Sequence, residues 1–210
     1  MSIGATIRHS FGPYERQVAE LYRGMFVNLE DLAGKIRTWS APQRVLEIGC
    51  GEGALAERVA RDFPQSDYLG IDIISHLGRM YAGPEHNVSF RQVTAQDLAI
   101  EQPHRFDLIL INDVLHHVPD DLRAEILDAA RRLLAPRGSL IFKDWVRRVS
   151  PIHALCYFAD AYIGGDKTVR YMPLGEQRDL IARVFGEGAI AAEATIKPWR
   201  HNRAFLIRQP

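Results

Sequence analysis

The chain has 210 residues, of which 47% are hydrophobic and 25% charged, and its 26 acidic residues balance its 26 basic ones. This composition is typical of a single globular domain, and the absence of net charge argues against a nucleic-acid-binding protein, which usually carries a basic surplus. Two cysteines do not make a disulfide framework, and no stretch approaches the ~18 apolar residues of a membrane span, so we expect a cytoplasmic chain without signal peptide or transmembrane segment.

The N-terminal part of the chain is predicted to be helical. Residues 1–12 are polar and indicate a partly mobile start, whereas the apolar residues between Pro13 and Trp39 recur at intervals of three and four. That spacing is typical of an amphipathic helix, in which we expect a break near Gly24 or Gly34.

Strands and helices then alternate from residue 44 to residue 144. Short apolar runs predict strands at 44–49, 68–73, 88–93, 106–111 and 139–143, and the segments between them predict helices at 54–63, 76–81 and 120–134. Such alternation indicates a doubly wound parallel sheet with helices on both faces and right-handed crossovers.

The C-terminal third departs from this alternation. Residues 145–173 are rich in aromatic side chains, residues 174–185 form a predicted helix, and residues 189–197 and 204–208 are predicted strands joined by a turn. We expect one domain over residues 1–210. Its parts are a helical cover at 1–40, a ligand-binding core at 42–144, a substrate lid at 145–173, and a final helix and hairpin at 174–210.

The first predicted strand ends in glycines and leads into a helix, in the stretch VLEIGCGEGALAERVA at residues 45–60. A turn of this kind presents backbone N–H groups to a ligand at the carboxyl edge of a sheet. Gly49, Gly51 and Ala54 fit the dinucleotide pattern G-x-G-x-x-G/A, but Gly49, Gly51 and Gly53 also fit G-x-G-x-G, so the glycines alone do not identify the cofactor. Glu47 precedes them and favours a ligand with an ammonium group, since its carboxylate would repel a diphosphate.

The core contains five motifs in order: VLEIGCGEG, GIDI, AQDL, FDLILINDVLHHV and LLAPRGSLIFKD. In this order and spacing they resemble the motifs of small-molecule class I S-adenosylmethionine-dependent methyltransferases, over roughly residues 42–144. The resemblance implies a Rossmann-like, doubly wound α/β fold whose seven-stranded sheet is mostly parallel with the last strand antiparallel. The predicted C-terminal hairpin fits this sheet independently. The resemblance also implies S-adenosylmethionine as the cofactor and S-adenosylhomocysteine as the product.

The resemblance further implies a cofactor site spread over four strand ends. Glu47 is expected at the methionine end, Asp72 on the ribose hydroxyls and Asp97 on the adenine amino group. For Asp72 and Asp97 the alternative is a helix cap, and for Cys50 we expect a packing role rather than a nucleophilic one. The cofactor-binding residues expected in this way are Glu47, Gly49, Cys50, Gly51, Gly53, Asp72, Ile73, Gln96, Asp97, Leu98, Asn112 and His117.

The candidate catalytic residues are His116, His117 and Asp144, with His153 as a further possible proton acceptor. Methyl transfer from a sulfonium needs mainly alignment of the reactants, and it needs a general base only where the acceptor must lose a proton. Adjacent histidines do not share one face of a helix, so we expect one of His116 and His117 to face the transfer site and the other to point outward. The same spacing is poor for a metal site, and we expect no metal.

The acceptor is expected to be a small organic or lipid-like molecule, because aromatic residues from both covering segments would shield it from water. Basic residues of the lid would bind a carrier phosphate or else form a solvated face; they are Arg147, Arg148, Lys167 and Arg170. The sequence after the fourth strand, NDVL, lacks the Pro-Pro-aromatic pattern of enzymes that methylate DNA bases or glutamine. Two alternatives stay open, a nicotinamide-dependent oxidoreductase and a non-catalytic module that binds S-adenosylmethionine. The sequence leaves the methylated atom and the oligomeric state undetermined.

Overall fold

The computed structural model describes residues 12–84 and 86–209, and the expected polar start at 1–11 lies outside the described residues. The fold is built on one sheet of seven strands in the order β3-β2-β1-β4-β5-β7-β6. The strands are β1 (Arg44–Ile48), β2 (Asp67–Asp72), β3 (Val88–Gln92), β4 (Phe106–Asn112), β5 (Leu134–Trp145), β6 (Ile190–Thr195) and β7 (Asn202–Arg208).

Strands β1 to β5 run parallel to one another. Strand β7 runs antiparallel to both β5 and β6. The predicted sheet, mostly parallel with an antiparallel last strand, is therefore confirmed. The strand order reverses between β1 and β4, which is the position at which open α/β sheets form a ligand crevice beyond their carboxyl ends. In the sheet register Asn112 of β4 pairs with Lys143 of β5, so both side chains reach that edge at the same level.

Seven helices are assigned among the described residues. They are α1 (Glu15–Phe26), α2 (Leu29–Trp39), α3 (Ala54–Asp62), α4 (Ala95–Glu101), α5 (Asp120–Leu133), α6 (Pro151–Phe158) and α7 (Leu174–Phe185). Residues 12–14 and 115–117 form single 3₁₀ turns, and a π-helical turn at 159–163 follows α6.

The break in the N-terminal helix lies at Val27 and Asn28, not at Gly24 or Gly34. The Asn28 side chain accepts a hydrogen bond from the backbone N–H of Asp31 at 3.0 Å and so begins α2 with an N-cap. A capping residue restarts the helix here, whereas the two glycines are accommodated within helices.

The segment predicted as a helix at 76–81 consists of turns. Its backbone is hydrogen-bonded to the glycine turn after β1, with Gly78 N–H donating to Gly51 O at 2.9 Å and Met80 N–H donating to Glu52 O at 3.0 Å. Gly78 has a positive φ of 66°, which a helix does not allow. The segment therefore supports the glycine turn instead of forming a helix of its own.

Strand β5 is longer than predicted, because the chain passes from α5 at Leu133 directly into the strand at Leu134. A shift in register between Phe106 and Leu108 accommodates the extra residues before Ser139. The hairpin strands β6 and β7 differ from their predicted bounds by one to two residues at their ends.

Apolar side chains cover both faces of the sheet. Residues of α4, α5 and α7 pack on one face, and residues of α2 and α3 pack on the other. A third, smaller cluster lies beyond the sheet edge, where Trp145 packs with residues of the 145–173 segment and with Phe26 of α1, at 6.4 Å between the two ring centroids. Two sequence segments thus meet above the strand ends. None of the helices in the described ranges has the length and apolar character that crossing a membrane would require.

Candidate active site

A cavity of about 310 Å³ opens at the carboxyl ends of β1, β4 and β5. Its walls come from the glycine turn after β1, from the ends of β4 and β5, and from a cover made by α1 and the 145–173 segment. Tyr22 and Phe26 contribute from α1, and Tyr171 contributes from the 145–173 segment. The two aromatic segments that the sequence predicts as covers therefore both reach this cavity, although Tyr14 is exposed outside it.

The glycines of the turn have different roles. A Cβ on Gly49 would lie 2.4 Å from Cγ2 of Val114, so this position, with a φ of 76°, is closed to any side chain. A Cβ on Gly51 would meet nothing within 4 Å, and Gly51 lines the cavity, so a ligand can approach its Cα closely, although its N–H is donated to Asp72 and its carbonyl accepts from Gly78. The Cys50 thiol is buried, and burial raises its pKa, so the group stays protonated and is not nucleophilic.

Asp72 lies beside this turn at the end of β2. One of its oxygens accepts a hydrogen bond from Gly51 N–H at 2.8 Å, and the other accepts from Ile73 N–H at 2.7 Å. The oxygen bound by Ile73 also accepts a hydrogen bond from Ile74 N–H at 3.3 Å, whereas the oxygen bound by Gly51 can accept one more, so the group shapes the turn and can still bind a hydroxyl. The Ile73 side chain next to it is 72% exposed and does not line the cavity, so its contact with adenine remains a prediction.

Glu47 is buried in the cavity wall, where the Tyr68 hydroxyl donates a hydrogen bond to it. Burial is the main cause that raises the pKa of its carboxyl to about 8. The hydrogen bond from Tyr68 lowers the pKa, and repulsion from the Asp72 carboxylate raises it. The carboxyl is thus protonated at neutral pH. Arg23 of α1 lines the same cavity and, through its charge, lowers the pKa of Glu47.

The structure does not bring Gln96, Asp97 and Leu98 into the cavity. Asp97 accepts a hydrogen bond from the Thr94 hydroxyl at 2.7 Å, and Asp97 N–H donates to the same hydroxyl oxygen at 3.1 Å, which is a helix-capping arrangement. The Leu98 side chain has no exposed surface, and Gln96 lines a separate depression beside α5. An adenine contact by these residues remains a prediction. For Asp97, the structure shows the helix-capping arrangement that was the alternative.

His116 and Asp144 form a buried pair at the cavity wall. Nδ1 of His116 lies 2.5 Å from Oδ1 of Asp144, and that oxygen also accepts a hydrogen bond from Trp145 N–H at 2.7 Å. Burial lowers the pKa of His116, but the attraction of the Asp144 carboxylate outweighs it, so the pKa of His116 is raised. Burial raises the pKa of Asp144, but the charge of His116 lowers it, and the net effect is a lowering. The carboxylate therefore accepts a hydrogen bond from Nδ1–H of His116, and Nε2 is the nitrogen that remains for a ligand in the cavity.

His117 also lines the cavity, but its side chain is 42% exposed against 5% for His116, so the expectation that one of the two points outward is met in part. The two residues lie in the 3₁₀ turn at 115–117, and their ring centroids are only 4.1 Å apart. Nδ1 of His117 lies 2.8 Å from Oδ2 of Asp166. The argument from helix faces does not hold here because the turn is too short to separate the rings.

Sequence reasoning expected Lys143 to pair with a carboxylate or phenolate, but it missed Asp113 and Asp160 as residues of the cavity. Buried Lys143 forms an ion pair with Asp113, at 2.5 Å and 2.7 Å to its two oxygens. Tyr171 donates its hydroxyl to Asp160 and stacks on the His116 ring with centroids 4.7 Å apart. Asp160 and Tyr171 lie in the irregular lid segment, where no periodic pattern could indicate their direction.

The comparisons with known proteins agree on one family. A family model described as a methyltransferase domain matches residues 46–140. The ubiquinone biosynthesis O-methyltransferase of Acinetobacter baumannii (strain ACICU) is 34% identical over 140 residues, which make up 64% of this chain and 55% of that protein. The match covers the glycine turn and the histidines after β4.

Residues 46–140 of this chain are thus similar to a methyltransferase domain, as the sequence motifs predict.

Solved structures of methyltransferases share its fold. An O-methyltransferase family protein from Burkholderia thailandensis has a TM-score of 0.69 at 16% identity, covering 96% of this chain and 59% of that one. Human N-acetylserotonin methyltransferase, solved in complex with S-adenosylmethionine, has a TM-score of 0.63 at 15% identity, covering 86% and 50% of the two chains. The chain spans about half the length of the curated relatives it matches. Its similarity to methyltransferase domains supports S-adenosylmethionine as the cofactor rather than a nicotinamide.

Proposed function

We propose that this domain transfers a methyl group from S-adenosylmethionine to a hydroxyl oxygen of a small, partly apolar acceptor, with His116 taking the hydroxyl proton. The observation that carries the proposal is the buried His116–Asp144 pair, whose free nitrogen belongs to a residue lining the cavity at the strand ends. A carboxylate that orients the Nδ1–H of a histidine leaves the opposite nitrogen as a proton acceptor, which is the arrangement of a general base.

The cavity offers matching groups for the two ends of the methionyl part of the cofactor. Glu47 can ionise when an ammonium group approaches, and Arg23 can bind a carboxylate. Asn112 also lines the cavity, and its buried Oδ1 has no hydrogen-bond partner among the described residues, so it is available to an N–H donor. Asp72 does not line the cavity itself but binds Gly51, which does, so we expect the ribose to lie beside Gly51 on the side of Asp72.

The reaction requires little covalent chemistry from the protein. When bound, the cofactor supplies a methyl group on a positively charged sulfur, which is a good leaving group. The chain's own residues then have to align the acceptor oxygen with that methyl group, exclude water and accept a proton. Positioning is worth several kcal/mol or more, and a general base adds about 10²–10⁴-fold in rate. His116 would hold the proton on Nε2, and the Asp144 carboxylate would stabilise the imidazolium formed.

The cover of the cavity favours an acceptor with an aromatic or other apolar surface. Phe26, Trp145 and Tyr171 present rings or ring edges from three different elements, and Tyr22 packs edge-on against Phe26 at 5.5 Å between centroids. A cavity of this size admits a small ring rather than a macromolecular side chain in its bound conformation. The names of the relatives, which act in ubiquinone biosynthesis or are O-methyltransferases, support a small-molecule acceptor with a hydroxyl group.

The test is methyl transfer from an isotopically labelled donor to a panel of phenols, catechols, aliphatic alcohols and amines, read by mass spectrometry. We expect label on oxygen of at least one phenolic acceptor, and loss of most activity in His116→Gln with S-adenosylhomocysteine binding unchanged. Label on amines alone would refute the oxygen assignment. Cofactor binding without any label transfer would favour the non-catalytic alternative, and tight NADH binding without S-adenosylhomocysteine binding would favour the oxidoreductase.

A further inference from the structure

Three potential metal ligands converge on one wall of the cavity. One ring nitrogen each of His116 and His117 and one oxygen of Asp160 lie within 4.8 Å of one another, and all three residues line the cavity. Nε2 of His116 is 3.9 Å from Oδ2 of Asp160. Two imidazole nitrogens and one carboxylate oxygen are a ligand set that suits zinc and similar transition metals.

The surroundings of these ligands match those of metal-binding histidines. In metal sites the nitrogen of a histidine that does not bind the ion almost always donates to a carboxylate, a carbonyl or water, which fixes the ring and the tautomer. Here Nδ1 of His116 is held by Asp144 at 2.5 Å, and Nδ1 of His117 is held by Asp166 at 2.8 Å. In each ring Nδ1 is thereby engaged by a carboxylate, which leaves Nε2 as the nitrogen that would bind the ion.

We propose that His116, His117 and Asp160 bind a divalent transition metal, with Zn²⁺ as the best match, and that the bound ion inhibits methyl transfer. The inhibition rests on the function proposed above, because the ion and the acceptor's proton compete for the same lone pair on Nε2 of His116. The metal site itself does not depend on that function.

The three ligand atoms, which lie within 4.8 Å of one another, have to move closer together to hold the ion. Zinc binds nitrogen at about 2.0–2.1 Å and carboxylate oxygen at about 2.0–2.2 Å, so two tetrahedral ligands lie about 3.4 Å apart. The 3.9 Å between Nε2 of His116 and Oδ2 of Asp160 has to shrink by about half an ångström. Three protein ligands leave a fourth position open towards the cavity, as in zinc sites that bind an exogenous ligand.

The absence of a metal pattern in the sequence has a structural reason. His116 and His117 are adjacent, and on a helix their side chains would diverge, but they lie in a single 3₁₀ turn with their rings 4.1 Å apart. Asp160 comes from the π-helical turn after α6, in a segment without predictable periodicity. Neither feature is visible before the chain is folded.

The test measures metal binding to the full chain without cofactor or acceptor. Co²⁺ replaces Zn²⁺ as a spectroscopic probe, and we expect one equivalent to give visible d–d absorption that one equivalent of Zn²⁺ abolishes. Asp160→Asn and His117→Gln should each weaken Co²⁺ binding by at least tenfold, and Asp166→Asn, which removes the partner of His117 Nδ1, by about 10–100-fold. The matched control is His76→Gln, which removes an exposed histidine outside the cavity and should leave the titration unchanged.

Circular dichroism and S-adenosylhomocysteine titration of each variant separate lost metal ligands from lost folding. No stoichiometric Co²⁺ binding by the wild-type chain would overturn the proposal, as would binding that survives both Asp160→Asn and His117→Gln. In the activity assay we expect Zn²⁺ to inhibit the wild-type enzyme and EDTA to restore it. Full activity at saturating Zn²⁺ would refute the inhibition, while a chain that binds Co²⁺ but transfers no methyl group would refute the proposed function alone.

Discussion

Replacing Glu47 with glutamine should make the protein more stable at neutral pH, although it removes a side chain expected in the cofactor site. Glutamine is isosteric with the protonated carboxyl and keeps an oxygen that can accept the Tyr68 hydroxyl. Because burial raises the pKa of Glu47 from 4.5 to about 8, the native state holds a proton that the unfolded chain has already released at pH 7. Stability from this group therefore falls as pH rises from 4.5 to 8.

The size of the effect follows from the same two pKa values. Each pH unit in this interval costs about 1.4 kcal/mol, so the interval from pH 4.5 to pH 7 corresponds to about 3 kcal/mol. The glutamine variant does not titrate and escapes this cost. We expect Glu47→Gln and the wild-type protein to be nearly equal in stability near pH 4.5, and the variant to be about 3 kcal/mol more stable at pH 7.

The assay is urea unfolding followed by tryptophan fluorescence at half-unit steps from pH 4.5 to pH 8.5. The control is Glu187→Gln, which changes an exposed glutamate in the turn before β6 and should shift stability by no more than about 0.5 kcal/mol at any pH. A difference between Glu47→Gln and the wild-type protein that does not change with pH would show that Glu47 is already ionised in the native state. The reasoning about the cavity's electrostatics would then be wrong.

Three further predictions concern the turn, the ribose and the base. Gly49→Ala should unfold the domain or lower its Tm by many degrees in a thermal melt. Gly51→Ala should fold but lose affinity for S-adenosylhomocysteine, measured by calorimetry. If both variants had the same effect on Tm and on affinity, the two glycines would not have different roles. Asp72→Asn should weaken S-adenosylhomocysteine binding by about 1–3 kcal/mol, and unchanged affinity would exclude the ribose contact. The wild-type rate should rise with pH through the raised His116 pKa, and Asp144→Asn should move that inflection to lower pH; an unmoved inflection would exclude the pair as the base.

The core of the fold was predictable because local pattern and global topology agree there. The FDLILI run, apolar apart from Asp107, identified β4 as a central strand, and the glycines after β1 marked the ligand edge. The helix start at Asn28 was missed in favour of the two glycines, although an Asn three positions before an acidic residue is a helix-start signal. The segment 76–81 was not readable, because its hydrogen bonds go to the glycine turn rather than along its own chain.

The candidate site was predictable residue by residue but not as an arrangement. His116, His117 and Asp144 were identifiable as types of residue near strand ends, but the pairing of His116 with Asp144 depends on the register of β4 and β5 and on a short 3₁₀ turn. Asp160 lies 44 positions beyond His116 by count, in a segment whose π-helical turn no sequence period indicates. Contacts of this kind arise only from tertiary structure.

A crystal structure with S-adenosylhomocysteine tests the central claim most directly. The account predicts the methionyl group between Glu47 and Arg23, the backbone of Gly51 against the ligand, and the sulfur facing the space beside Nε2 of His116. A ligand bound in the same cavity with its sulfur directed away from His116, or bound elsewhere on the chain, would contradict it.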